Sequence, residues 1–148
     1  MLYTGIDLIE IARIERAIDR WGDRFLRRVF TPAELSAYGG RARSLAARWA
    51  AKEAAAKLLG VGLRGLGAGG RTEGAVAFTE IEVLGDARGR PILTLYGQAA
   101  EHARRLGLRE IALSLSHTHE HAIASVVALA GQEAETKEQR ATTLDDRR

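Results

Sequence analysis

The chain has 148 residues, which suits one domain with a sizeable core. It has no cysteine, which excludes disulfides, thiolate metal sites and cysteine nucleophiles and fits a reducing cytosol. Its 22 Lys and Arg against 19 Asp and Glu leave a formal charge of +3, an excess that suits an anionic partner without choosing among phosphate, nucleic acid and an acidic protein. The opening stretch MLYTGIDLIEIARIER meets an acid at Asp7 and carries no small-residue cleavage site, so neither a signal peptide nor a transit peptide is expected. No apolar run approaches the ~20 residues of a membrane span, and a cytoplasmic protein is the expectation.

In chain order, residues 2–8 read as a strand, with Leu2, Thr4, Ile6 and Leu8 on one face and Tyr3, Gly5 and Asp7 on the other. Ile11, Ile14, Ile18, Trp21 and Phe25 then recur at helical spacing as one apolar stripe. Arg13, Arg16, Arg20, Arg24 and Arg27 repeat that spacing two residues later and would form a basic ridge if the helix ran through Gly22. Thr31-Pro32-Ala33-Glu34 is a helix start with a capping threonine, a first-turn proline and a capping-box glutamate, and Gly39-Gly40 ends that helix. Residues 44–59 (SLAARWAAKEAAAKLL) predict the longest helix, with Ser44 able to cap it and Gly60 to end it.

Residues 60–77 read as a glycine-rich loop. Residues 78–84 and 91–96 predict strands joined by a turn at 85–90, residues 98–106 a short helix, and 109–116 with 121–129 a second strand pair. Ile111, Leu113 and Leu115 would face the core, and Ala112, Ser114 and Ser116 away from it. Residues 1–130 thus read as one α+β domain, a mainly antiparallel sheet packed on a long central helix, and 131–148 as a polar, disordered tail.

Four constellations carry chemistry. Asp7 sits between Ile6 and Leu8 on a strand otherwise fit for burial, where a carboxylate needs a donor, a cation or a metal; the plainer role is to cap the next helix. Glu53 and Lys57 share a helix face four residues apart, either as a surface pair or as a metal ligand beside a phosphate-binding base. His117, His119 and His121 alternate, which would suit zinc, but the run departs from the H-x-H-x-D-H of metallo-β-lactamase-like hydrolases because the acid and last histidine come one position early; a polar turn is the plainer reading. Gly60-Val61-Gly62-Leu63-Arg64-Gly65 spells a dinucleotide fingerprint but follows a helix instead of a strand, and is rejected as one. A nucleic-acid module using the arginine ridge would want interleaved aromatics, and aromatics are only 5% of the chain.

Taken together, these segments resemble the holo-acyl-carrier-protein synthase family of 4′-phosphopantetheinyl transferases. The resemblance is carried by Gly5-Ile6-Asp7-Leu8, by Phe30-Thr31-Pro32-Ala33-Glu34-Leu35, by Arg48-Trp49-Ala50-Ala51-Lys52-Glu53-Ala54 with Lys57, by Ile81-Glu82-Val83 with Gly89-Arg90-Pro91, and by Ser114-Leu115-Ser116-His117-Thr118, in that order along residues 5–127. Residues 61–77 are longer and richer in glycine than the family pattern, Ala112 stands where some members carry histidine, and nothing after 131 matches.

The resemblance implies transfer of 4′-phosphopantetheine from coenzyme A to a serine of an acyl carrier protein, with release of 3′,5′-ADP, in support of fatty acid biosynthesis. It makes Asp7 and Glu53 the Mg²⁺ ligands and gives Lys57 to the phosphates. Arg48, Gly60, Ser116, His117 and Thr118 would lie along the nucleotide. The serine proton would go to Glu53, His117 or a metal-bound water. Arg13 and Arg24 of the ridge would meet the acidic carrier, and the enzyme would be a homotrimer with sites at subunit clefts.

Overall fold

The computed structural model describes residues 1–64 and 74–131. The middle of the glycine-rich loop, and all but the first residue of the expected tail, lie outside the described residues.

Strand β1 (Leu2–Glu10) runs two residues past its predicted end. Alternation turns Tyr3, Gly5, Asp7 and Ile9 inward and leaves Leu2, Ile6 and Leu8 exposed on the other face. Helix α1 (Ile11–Trp21) buries Ile11 and Ile14 and stops at Gly22, whose φ of 54° few other residues would adopt. Helix α2 (Asp23–Val29) begins afresh and buries Phe25 and Val29. The continuous arginine ridge is therefore not formed: Arg13, Arg16 and Arg20 stand on α1, Arg24 and Arg27 on α2, all exposed. Trp21, expected on the apolar stripe, is 52% exposed, with the Arg20 guanidinium 4.8 Å over its ring.

Helix α3 (Pro32–Tyr38) starts as its sequence says. Thr31 Oγ1 accepts from the Glu34 amide at 3.2 Å, and the Glu34 carboxylate accepts from the Thr31 amide at 2.9 Å. Helix α4 (Ala42–Leu59) begins two residues earlier than predicted, with Arg41 and not Ser44 at its cap, and ends at Gly60, φ 72°. It is buried nearly all round, as a helix at the centre of a domain must be. Seven of its alanines are buried, and their methyl-sized side chains let other backbones approach.

Lys52 points from α4 into the core and is fully buried with Glu34. Its ammonium donates to Glu34 at 2.6 Å, to the Ile81 carbonyl at 2.6 Å and to the Phe78 carbonyl at 3.0 Å, while the Val83 amide donates to the other Glu34 oxygen at 3.0 Å. The pair ties α3, α4 and the strand that follows into one unit. Removing one partner would strand a buried charge, a loss of about 3–5 kcal/mol.

Residues 63–64 (β2) and 76–77 (β3) form a two-residue parallel ladder inside the predicted loop. Phe78–Glu80 is a 3₁₀ turn, although the sequence reads as strand there, because the Glu80 carboxylate accepts from the Ala77 and Gln98 amides. β4 (Ile81–Gly85) and β5 (Pro91–Leu95) make the expected hairpin, and α5 (Gly97–Arg105) follows. β6 (Leu108–His117) and β7 (His121–Ala130) close the domain. The main sheet is antiparallel in the order β1-β7-β6, so the first strand pairs with the last, Leu2 opposite Leu129 and Glu10 opposite His121. Helix α4 packs on its inner face.

Candidate active site

Asp7 reaches its place because Gly5 lets β1 lie directly on α4. A Cβ at Gly5 would be driven into the Ala54 carbonyl oxygen. With the two backbones that close, the Asp7 carboxylate accepts a 2.9 Å bond from the Lys57 ammonium, which also donates to the Ile6 carbonyl at 3.0 Å. Lys57 is thus bound across to β1, fifty residues away, and not merely paired with Glu53 one turn below.

Glu53 stands on the same face of α4, half-buried. Burial, then the neighbouring Asp7 charge, raise its pKa above the ordinary 4.5, and Lys57 and Arg13 pull the other way. A carboxylate whose charge is disfavoured by a neighbouring one forms, with that neighbour, a fitting seat for a divalent cation. Mg²⁺ takes one or two protein carboxylates and keeps waters and substrate oxygens for the rest. Beside Glu53 lies a hollow of about 310 Å³ lined by Arg13, Ala17, Trp21, Phe25, Trp49 and Glu53, among others.

A second hollow, about 500 Å³, opens at the other end of α4, lined by Ile11, Glu15, Arg41, Arg43, Ser44, His117 and His119. The two share no lining residue. Nine residues of α4 separate Ser44 from Glu53, about 14 Å at the helical rise. Within one chain His117 therefore belongs to the arginine hollow, apart from the acid pair. His119 lies in the β6–β7 turn expected of the histidine run, whereas His121 opens β7 instead of standing in the turn. Among the described residues, no group of three or more His, Asp or Glu is placed to hold a metal, so the histidine run does not form the zinc cluster its spacing suggested.

The remaining predicted residues divide. Ser116 lies on the outer sheet face and His117 on the inner one, so alternation sends them apart. Thr118 Oγ1 accepts from the Glu120 and His121 amides and shapes the turn. Arg48 is buried, donates to the Val83 and Ser44 carbonyls and stacks 3.3 Å over Tyr38, which makes it a brace between α4 and β4. Burial holds its pKa below the ordinary value. Gly60 caps α4 one turn beyond Lys57. Arg41 and Arg43 were not singled out in the sequence; two exposed arginines at the start of a helix give no signal until the fold sets them beside His117.

Comparison with known proteins gives the family. Residues 3–126 match the model of the 4′-phosphopantetheinyl transferase superfamily. A holo-[acyl-carrier-protein] synthase of Herpetosiphon aurantiacus is 56% identical over 129 residues, 87% of this chain and 99% of the relative. One from Roseiflexus castenholzii is 58% identical over 114 residues, 77% of this chain and 81% of its own length. Helicobacter pylori holo-[acyl-carrier-protein] synthase, solved in complex with coenzyme A, superposes with a TM-score of 0.70 at 29% identity, over 85% of this chain and 99% of that one. The Chronobacterium ammoniagenes ACPS–CoA complex gives 0.73 at 34% identity, over 89% and 99%. With its fold, its ordered motifs and these relatives in agreement, the chain belongs to the holo-[acyl-carrier-protein] synthases of the 4′-phosphopantetheinyl transferase superfamily.

Proposed function

We propose that this chain transfers the 4′-phosphopantetheine arm of coenzyme A to a serine hydroxyl of an apo acyl carrier protein, in the cytoplasm and in support of fatty acid biosynthesis. The serine oxygen forms a bond to the pantetheine-side phosphorus, the bond from that phosphorus to the bridging oxygen breaks, and 3′,5′-ADP leaves. The observation that carries this reading is the convergence of Asp7, Glu53 and Lys57 from β1 and α4 on one spot beside an open hollow.

Asp7 and Glu53 would hold Mg²⁺, which when bound draws charge from the pyrophosphate oxygens. Lys57 neutralises the phosphates, and Arg41 and Arg43 hold the nucleotide's anionic end beside His117 and Thr118. Arg48 supports that corner by bracing α4. Glu53 is the chain's own candidate for the serine proton, since burial makes it more basic than an ordinary carboxylate. Coenzyme A then reaches between hollows on different copies of the chain, because the protein works as a homotrimer. Support for self-association comes from the outer face of the sheet, where Leu2, Ile6, Leu8 and Leu129 are exposed on paired strands. The acidic carrier docks on α1 and α2, with Arg13 beside Glu53 and Arg24 further out.

The test is to incubate the protein with apo carrier, coenzyme A and Mg²⁺ and weigh the carrier for an added phosphopantetheine. Asp7→Ala and Glu53→Ala should lose the activity. Arg13→Glu with Arg24→Glu should raise KM for the carrier and leave that for coenzyme A unchanged. Transfer that survives EDTA, or either alanine variant working at the wild-type rate, refutes the metal assignment.

A further inference from the structure

The Lys57–Asp7 bond bears on how the site is loaded. Asp7 is an inward-facing carboxylate whose side chain keeps only 17% of its exposure, set beside a second carboxylate. Such a group is stabilised by a hydrogen-bond donor or a cation. Lys57 supplies one, and its own side chain is 56% exposed. Its long flexible stem runs through solvent, and only the ammonium is fixed, by Asp7 Oδ1 and the Ile6 carbonyl. An ammonium has donors and no acceptor, so it cannot join a metal's ligand shell. An ion seated between Asp7 and Glu53 would share the Asp7 carboxylate with the ammonium, and two cations on one carboxylate repel each other at that range.

We propose that Lys57 and the divalent ion are alternative counter-cations of Asp7. Lys57 keeps the strand acid neutralised and β1 docked on α4 until the ion arrives, and the displaced ammonium then turns to the phosphates of the incoming coenzyme. This rests on the assignment of Asp7 and Glu53 as the metal seat. It predicts an order, metal before coenzyme, set by one side chain with two successive partners.

The experiment measures Mn²⁺ binding to the full chain by the electron paramagnetic resonance of the free ion, without coenzyme A. Lys57→Met and Lys57→Gln should each bind Mn²⁺ about three- to fivefold more tightly than wild type, the range set by loss of a half-exposed ion pair. Both should bind coenzyme A more weakly by calorimetry in saturating Mn²⁺. Arg13→Gln removes a nearby positive charge that has no bond to Asp7, and should tighten Mn²⁺ binding less. Equal tightening in Arg13→Gln would reduce the effect to net charge and overturn the proposal. So would Lys57 variants with wild-type Mn²⁺ affinity while Asp7→Asn has lost binding, an outcome that leaves the metal seat standing. Wild-type Mn²⁺ binding in Asp7→Asn would remove the seat itself, and the competition with it.

Discussion

Glu53 destabilises the protein that carries it. Its folded pKa is raised, chiefly by burial and next by Asp7, so its ionised form is favoured more in the unfolded chain than in the folded one. The penalty is absent well below pH 4.5, grows as pH climbs past that value, and is complete above the raised folded pKa. Glu53→Gln should therefore unfold at a higher temperature than wild type at neutral pH. That gain should shrink as the pH falls through the carboxylate range, and transfer should be lost. Thermal unfolding from pH 3 to 8 in metal-free buffer checks the sign, and a variant less stable than wild type at neutral pH contradicts it. At this scale the sequence was legible where chemistry leaves an odd residue in place: an acid inside an apolar strand, an acid and a base on one helix face. Lys52 and Glu34 left no such mark. They are eighteen residues apart, each passes for an ordinary helix residue, and only tertiary packing reveals a fully buried pair.

Among the elements, β1 and α4 are joined by a missing side chain. Gly5→Ala should push β1 off α4 and cost about 1–3 kcal/mol or more, since the obstacle is a backbone carbonyl and cannot rotate away. The same shift would carry Asp7 from Lys57, so activity should fall further than stability alone explains. Urea unfolding and the transfer assay on one preparation separate the two losses; wild-type behaviour in both would mean the strand and helix are less tightly apposed. Local grammar predicted the elements well. The Thr31–Glu34 box, the glycine after α4 and the alternation of Ile111, Leu113 and Leu115 all stand where expected. It failed where a distant group decides: Glu80 bends residues 78–80 into a turn by accepting amides on either side, and no window of sequence contains both partners. Gly22 was visible as an interruption, but only the structure shows that it divides the arginines between two helices.

For the whole molecule, the proposed homotrimer would use the outer sheet face, where Leu2, Ile6, Leu8 and Leu129 are exposed. Ile6 and Leu8 are 58% and 61% exposed on the strand that carries Asp7, so a partner copy seated there would lie next to the chemistry. If the proposed trimer forms through this face, Leu8→Lys should leave circular dichroism unchanged, give a monomer in light scattering, and reduce transfer at least tenfold, because one chain keeps its arginine hollow about 14 Å along α4 from its acid pair. A variant that remains trimeric would place the interface elsewhere.

The strand order also sets a schedule for biosynthesis. β7 lies between β1 and β6, so the middle strand of the main sheet is the last of its three strands to leave the ribosome. β1 can find its hydrogen-bonding neighbour only after His121 to Ala130 have emerged, on the order of ten seconds after it at roughly 5–20 residues per second. During that wait its unpaired edge and its leucines and isoleucines are open to any other nascent chain, and α4 has no sheet to lie on. A ribosome halted before residue 121 would therefore hold a chain in which Asp7 has no fixed position, with the candidate site assembled only once β7 has emerged.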